Sequence, residues 1–142
     1  MLTVHQMVQM VGARTSGETG FASGTSSIAI MSALHSRGTH VAIDPFKGAY
    51  SYDGLRAARA MVEAKSGLKF AHINETASMA LAWLHTRRVC FDAFFIDDGH
   101  EYDDVVVELF HVAKMISIMG ALMLHGARAH RVARALGCGC SC

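Results

Sequence analysis

The sequence contains no uncharged apolar run long enough to span a bilayer, and it does not open with the basic residues and apolar segment of a signal peptide. Charge of one sign is not in excess, since 13 lysines and arginines face 12 aspartates and glutamates. No basic cluster lies among aromatic residues. These absences argue against membrane and nucleic-acid partners, and they predict a cytoplasmic protein.

Cysteine is rare outside the last five residues. Cys90 stands alone, and Cys138, Cys140 and Cys142 have a C-x-C-x-C spacing, which is not a usual zinc-binding pattern. A disulfide framework would need cysteines spread through the fold. The cysteines therefore predict neither a structural zinc site nor a disulfide-stabilised protein.

Apolar periodicity predicts one globular domain, in which strands alternate with single helices. A short amphipathic helix over residues 2–11 precedes a polar, glycine-bearing segment at residues 13–17, where we expect a short and weakly held first strand. Later strands are predicted at residues 41–43, 68–73, 91–96 and 121–125. The alternation favours an α/β fold: a Rossmann-like, doubly wound, mostly parallel sheet of about five strands with helices on both faces.

Helical spacing also predicts which side chains are buried. Trp83 and the phenylalanines are expected in the core, and Phe110 is expected on the buried face of the helix before the last strand. Gly120 is expected to separate that helix from the strand.

A segment rich in small residues, Glu18-Thr-Gly20-Phe21-Ala22-Ser23-Gly24, connects the first strand to the next helix. Backbone N–H groups at a helix N-terminus attract ligands, and Asp44, which ends the next predicted strand, can accept hydrogen bonds from two ribose hydroxyls. The dinucleotide fingerprint would need glycine at positions 22 and 25 as well as 20, and these are Ala22 and Thr25. The segment therefore predicts a nucleoside pocket of another kind.

Several polar groups come directly after predicted strands. Ligands of doubly wound sheets bind at the carboxyl ends of the strands. We therefore expect one rim formed by residues 20–24, Asp44, Asn74 and Glu75, and residues 97–100.

The Glu-x-Gly-x-x-x-Gly spacing with Asp44 resembles the first two motifs of class I S-adenosylmethionine-dependent methyltransferases. Residues 91–105, FDAFFIDDGHEYDDV, and residues 120–125, GALMLH, are similar to the methyltransferase family that includes macrolide-sugar O-methyltransferases. Members of that family have a strand ending in Ile-Asp-Gly-Asp-His-x-Tyr and a later strand ending in His-Asp. The resemblance covers residues 18–125.

The resemblance implies a cofactor site for S-adenosyl-L-methionine. Asp44 would bind the ribose hydroxyls, and Glu75 takes the place of the family's adenine-side acid. The remaining implied cofactor-binding residues are Glu18, Gly20, Phe21, Ala22, Ser23, Gly24 and Asp97.

The resemblance also implies which residues take part in catalysis. Asp97 would face the methyl donor or a divalent metal, and His100 would take the proton from the acceptor hydroxyl. Asp97 and Asp98 are the implied ligands of a magnesium ion, which would lower the pKa of that hydroxyl.

The chain departs from the family pattern near residue 126. His125-Gly126 replaces the His-Asp pair, and the order Asp98-Gly99 replaces Gly-Asp. We expect residues 1–126 to form the cofactor-binding domain and residues 127–142 a divergent, basic, Cys-containing tail, without the usual C-terminal antiparallel strands. The exposed sheet edge would then favour a homo-oligomer.

Three functions fit these observations. The first is direct methyl transfer to the oxygen of a hydroxylated small molecule. The others are a catalytically impaired cofactor-binding remnant and an NAD(P)-binding oxidoreductase domain, which Asp44 fits equally well. Taken singly, Glu18 fits a surface acid and His100 fits a residue that braces the next helix, but the joint spacing of Glu18, Gly20, Gly24 and Asp44 favours the pocket.

Overall fold

A computed structural model of the chain describes residues 3–45, 48–98 and 102–125. Its helices are α1 (Val4–Val11), α2 (Thr25–Ala33), α3 (Ala49–Ala64), α4 (Ala77–Thr86) and α5 (Tyr102–Met115). Its strands are β1 (Thr15–Thr19), β2 (Thr39–Ile43), β3 (Lys69–Ile73), β4 (Phe91–Ile96) and β5 (Ile116–Leu124). Within these ranges no helix combines the length and the apolar character needed to cross a bilayer.

The five strands form one sheet in the order β3-β2-β1-β4-β5, and all neighbouring pairs are parallel. Side chains alternate between its faces along β4: Ala93 and Phe95 pack with α1, α2 and α3, whereas Phe94 and Ile96 pack with α4 and α5. The prediction of a doubly wound α/β sheet with helices on both faces is confirmed. The direction of winding reverses between β1 and β4, where such sheets bind their ligands.

The first strand is short, with five residues, but the expectation that it is weakly held was wrong. Strand β1 extends to Thr19, lies between β2 and β4, and buries the side chains from Ser16 to Thr19. Gly17 makes room for Phe94, because an added Cβ would lie 2.3 Å from that ring. The polar side chains of β1 form hydrogen bonds with neighbouring elements, so the strand is well held despite its composition.

Two aromatic residues and one glycine also differ from expectation. Trp83 is 49% exposed and Phe110 is 55% exposed. Each ring is covered by a cation four residues later, with Arg87 4.0 Å from the Trp83 centroid and Lys114 3.6 Å from the Phe110 centroid. Gly120 lies inside β5, which begins directly after α5 and has an irregular register against the start of β4.

Asp92 of β4 connects the beginnings of three strands. Its Oδ2 accepts hydrogen bonds from the Arg14 and Thr15 backbone N–H groups, both at 2.9 Å, and from the Thr15 hydroxyl at 3.0 Å. Its Oδ1 accepts a bond from the Ser117 hydroxyl at 3.0 Å. Burial acts to raise the pKa of Asp92, but these four bonds outweigh it and hold the pKa below the usual value.

Glu108 of α5 is a buried acid beneath the end of β1. It is 2% exposed, and its Oε2 accepts a 2.6 Å hydrogen bond from the Thr19 hydroxyl. Burial, opposed by the bond from Thr19 and assisted by the negative charges of Asp98 and Asp104, raises the pKa of Glu108 to about 7. The carboxyl is therefore partly protonated at neutral pH.

We predict that Asp92→Asn destabilises the fold, because an amide nitrogen cannot accept the bonds that one carboxylate oxygen accepts. The free energy of unfolding should fall by about 1–3 kcal/mol at pH 7. Since the pKa of Asp92 is lower in the folded chain, its contribution exists above about pH 4 and is lost as the pH falls through the lowered pKa. Urea unfolding of both proteins across pH 3–7 measures this. The exposed Asp53→Asn is the matched control, and equal stability of Asp92→Asn and wild type at pH 7 would contradict the assignment.

Glu108→Gln should have the opposite pH dependence. Because Glu108 binds its proton more tightly in the folded chain, its ionisation lowers the stability of the wild type as the pH rises from about 4.5 towards 7. The amide oxygen can still accept the Thr19 bond and carries no charge. We expect the variant to be more stable than wild type by about 1–3 kcal/mol at pH 8 and nearly equal at pH 4. Thermal unfolding at the two pH values, with the exposed Glu63→Gln as control, measures the difference. A variant that is less stable at pH 8 would refute the prediction.

Candidate functional site

The glycine-containing loop at residues 20–24 joins the ends of three strands. The Gly20 N–H donates to the Ile43 carbonyl at 2.9 Å, and the Asp97 N–H donates to the Thr19 carbonyl at 3.1 Å. Gly20 has a φ of +83°, and an added Cβ would lie 2.3 Å from the Asp97 carbonyl oxygen. Only glycine allows the loop to pass this close to the end of β4.

The loop alternates between left-handed and other backbone conformations. Gly20, Ala22 and Gly24 have φ values of +83°, +44° and +75°. Such alternation turns backbone N–H groups towards one side of a loop. Ala22 carries a side chain in this disfavoured region, and its N–H donates to Asp44 Oδ2 at 2.8 Å. Strain of this kind concentrates at functional sites, and here it places the predicted ribose acid directly against the loop.

Helix α2 begins at the end of the loop without the usual side-chain cap. Gly24 is its N-cap residue, no side chain caps it, and its first turn contains no acid. The first N–H groups of a helix have no partner within the helix, and they carry the positive end of its dipole. The start of α2 is therefore suited to a ligand with a carboxylate or another anionic group.

A cavity of about 350 Å³ lies against this helix end. The cavity is lined by residues 20–23 of the loop and by Thr25, Ser26 and Ala29 of α2. Phe95 and Asp97 at the end of β4 and Val4 of α1 complete the lining. The cavity combines one acid with helix N–H donors and apolar surface, which is the usual composition of a small-molecule site.

A buried polar cluster of Ser16, Glu18, Ser27 and His40 lies beneath the loop; none of the four is more than 1% exposed. Glu18 Oε1 accepts a short hydrogen bond from the Ser27 hydroxyl and lies 3.3 Å from His40 Nε2. Glu18 Oε2 has no hydrogen-bond partner among the described residues. The structure thus places the predicted cofactor residue Glu18 inside strand β1, below the cavity wall and not in the loop itself.

Sequence reasoning missed the other three members of this cluster. Ser16 and His40 are opposite one another in the β1–β2 register, and Ser27 is in the first turn of α2. The available signals were His40 inside an otherwise apolar strand and a central strand, β1, that is itself polar. Their pairing depends on a register that the sequence does not display.

The other predicted residues are distributed along the same rim. Asp44 and Glu75 are adjacent, because both of their N–H groups donate to the Ile73 carbonyl, at 3.2 and 3.0 Å. The Glu75 carboxylate is exposed and accepts a 2.9 Å bond from the Thr76 N–H. Phe21 is 1% exposed, and its ring packs on the ring of His72 with a centroid distance of 5.3 Å. Its side chain is therefore part of the core.

Asp97 has a partner that the sequence did not predict. His125 Nδ1, just after β5, lies 3.2 Å from Asp97 Oδ1, and the His125 side chain is 65% exposed. Asp98 is half-buried beside Glu108. His100, Gly126 and the predicted tail at residues 127–142 lie outside the described residues.

The described residues contain no group of three or more His, Cys, Asp or Glu side chains that could hold a metal ion. The assignment of Asp97 and Asp98 as magnesium ligands therefore remains a prediction.

Solved structures share this architecture. The O-methyltransferase TomG from Streptomyces achromogenes, involved in tomaymycin synthesis and solved with S-adenosylmethionine, has a TM-score of 0.67 and 19% identity, over 85% of this chain and 52% of its own. An O-methyltransferase from Bacillus cereus in complex with S-adenosylhomocysteine has a TM-score of 0.63 and 20% identity, over 84% of this chain and 52% of its own. The S-adenosylhomocysteine-bound methyltransferase PaMTH1 from Podospora anserina has a TM-score of 0.61 and 17% identity, over 86% of this chain and 50% of its own.

The chain spans about half the length of these solved proteins. At 17–20% identity, the similarity to these structures shows a shared fold and nothing further. No curated protein matches the sequence significantly. The model of a family described as a methyltransferase domain matches residues 18–127, from Glu18 at the end of β1 to beyond β5. Because the match includes the loop, Asp44 and the rim of the cavity, and most of the chain, this protein belongs to the methyltransferase-domain family.

Proposed function

We propose that this domain binds S-adenosylmethionine and transfers its methyl group to a hydroxyl oxygen of a small molecule. One observation carries the proposal: the hydrogen bond from Ala22 to Asp44 joins the glycine loop after β1 to the acid at the end of β2, and β1 is the strand beside which the strand order reverses. The three neighbours solved with this cofactor or its product support the proposal, and two of them are described as O-methyltransferases.

The residues present fit the amino-acid end of this cofactor. Its carboxylate would be held by the uncapped first turn of α2, where Thr25 and Ser26 line the cavity. Its ammonium group needs an acid, and Asp97 lines the same cavity. Glu18 remains a predicted cofactor residue, and because it is 0% exposed it would act from beneath the loop, through its bonds to Ser27 and His40. Gly20, Ala22, Ser23 and Gly24 would surround the rest of this end.

The nucleoside end would lie along the ends of β2 and β3. Asp44 would accept hydrogen bonds from the ribose hydroxyls, since the Ala22 N–H occupies only one of its two carboxylate oxygens. Glu75, adjacent to Asp44 on the rim, would accept from the adenine amine. Phe21 would contribute its backbone only, because its ring is buried against β3.

When bound, the cofactor supplies an electrophilic methyl group on a positively charged sulfur. The chain's part is to align the acceptor oxygen with that methyl group and to remove the acceptor's proton. His100 is the base that the family resemblance implies. His125 is a second candidate, because its Nδ1 lies 3.2 Å from Asp97 Oδ1, and a carboxylate in this position can hold an imidazole in one orientation.

Two other functions remain to be distinguished from methyl transfer. His125-Gly126, where the family has His-Asp, favours a cofactor-binding domain without catalysis. Asp44 also suits a nicotinamide dinucleotide, although Ala22 and Thr25 depart from the dinucleotide fingerprint.

We predict that Asp44→Ala weakens the binding of S-adenosylhomocysteine by about 10- to 100-fold, the loss expected when hydrogen bonds to a charged group are removed. Asp44→Asn should lose less, because its amide oxygen can still accept the Ala22 N–H. Isothermal titration calorimetry measures both affinities, and circular dichroism checks the fold. The exposed helix acid Asp53 provides the control, and Asp53→Ala should bind like wild type.

Unchanged affinity in Asp44→Ala would refute the role of Asp44. Repeating the titration with NADH and with magnesium separates the remaining possibilities. NADH that displaces S-adenosylhomocysteine with higher affinity would favour the oxidoreductase. Tight S-adenosylhomocysteine binding without methyl transfer to any hydroxylated acceptor would favour the non-catalytic domain.

A further inference from the structure

We propose that His40 is a positioning residue of the cofactor site. By bonding through both ring nitrogens, it fixes the first turn of α2 against β1 and β2, and so orients the N–H groups that bind the amino-acid end of the cofactor. This inference rests on the proposed function for its ligand, but its structural part can be tested without one.

His40 connects three elements through one side chain. Its Nδ1 lies 2.9 Å from the Ser16 hydroxyl on β1, the residue directly opposite it in the sheet. Its Nε2 lies 3.1 Å from the Ser27 hydroxyl on α2 and 3.3 Å from Glu18 Oε1 on β1. The imidazole therefore bridges the β1–β2 pair and the start of α2.

The surroundings of His40 prevent water from replacing any of these partners. His40, Glu18 and Ser27 are all 0% exposed, and Phe70 packs on the imidazole at a centroid distance of 5.9 Å and an angle of 25°. A buried polar group that loses its partner cannot recover it from solvent. The ring is thus held in a single orientation by its contacts on every side.

Ser27 transmits this constraint to the cavity. It is in the first turn of α2, next to Ser26, which lines the cavity. Gly24 supplies no side-chain cap, so the beginning of α2 is held from below by the bonds of Ser27 to Glu18 and His40. Asp44, at the nucleoside end, is attached separately through Ala22. Loss of His40 should therefore affect the amino-acid end of the ligand more than its nucleoside end.

Two substitutions separate the functions of the two ring nitrogens. The amide of glutamine can reach the place of Nε2, whereas the shorter asparagine can reach only the place of Nδ1. His40→Asn should weaken S-adenosylhomocysteine about tenfold and adenosine less than about threefold, since only the former ligand has an amino-acid end. His40→Gln should keep S-adenosylhomocysteine affinity within about threefold of wild type, because it retains the bonds to Ser27 and Glu18. His35→Asn, on an exposed loop, is the matched control.

Hydrogen–deuterium exchange provides a readout that needs no ligand. In His40→Asn, the amides of residues 28–30, the first in α2 that have acceptors in the helix or its N-cap, should exchange at least about tenfold faster than in wild type, while those of α4 and α5 stay unchanged. Equal exchange at the start of α2 would overturn the proposal, as would equal loss of S-adenosylhomocysteine and adenosine affinity, or equal behaviour of the Asn and Gln variants. A wild-type chain that does not bind S-adenosylhomocysteine would instead refute the proposed function, and the exchange data would still decide the role of His40.

Ser27→Ala serves if His40→Asn does not fold. It removes the bonds between α2 and the cluster and keeps the imidazole in place. It should show the same selective loss of S-adenosylhomocysteine affinity and the same faster exchange in α2. Wild-type values for both quantities in Ser27→Ala would overturn the proposal.

Discussion

The central strand β1 carries polar side chains into the middle of the sheet, and the rest of the structure depends on how they are satisfied. A buried hydroxyl or carboxylate without a partner destabilises a fold by about 1–3 kcal/mol. Here the partners come from both sides of the sheet: His40 and Ser27 bond Glu18, Glu108 bonds Thr19 from α5, and Asp92 holds the beginning of the strand. The loop that follows β1 lines the cavity together with the start of α2 and the end of β4, so the bonds that hold β1 to these elements also set the geometry of the candidate site.

The alternation of strands and helices, the parallel sheet and the common rim were predictable, because each depends on local apolar periodicity and on general rules of connection. The well-bonded state of β1 was not predictable. Its stabilising contacts join residues far apart in sequence, 24 positions between Ser16 and His40 and 89 between Thr19 and Glu108. Periodicity likewise could not separate Trp83 from a core aromatic residue, because the cover that Arg87 gives the half-exposed ring is visible only in the structure.

The candidate site was predictable where a residue type is required by its place in the chain. Gly20 and Asp44 follow strands, and the structure brings their backbones together as the strand order demands. Two details of the site could be seen only in the structure. Glu18 lies within β1, below the loop. Asp97 contacts His125 because these residues follow β4 and β5, which are neighbouring strands. The sequence shows both residues but not the pairings.

The bond between the Ala22 N–H and Asp44 also bears on how a ligand would be recruited. A carboxylate on a free side chain samples several rotamers, and a ligand that captures it must oppose that lost freedom. Asp44 is already restrained by the loop, and the strain at Ala22 is borne by the folded chain in advance. If the domain binds a nucleoside as proposed, the loop would be a preorganised receptor: part of the entropy loss of binding would already be met during folding, and the ligand would meet an acceptor that already points in one direction.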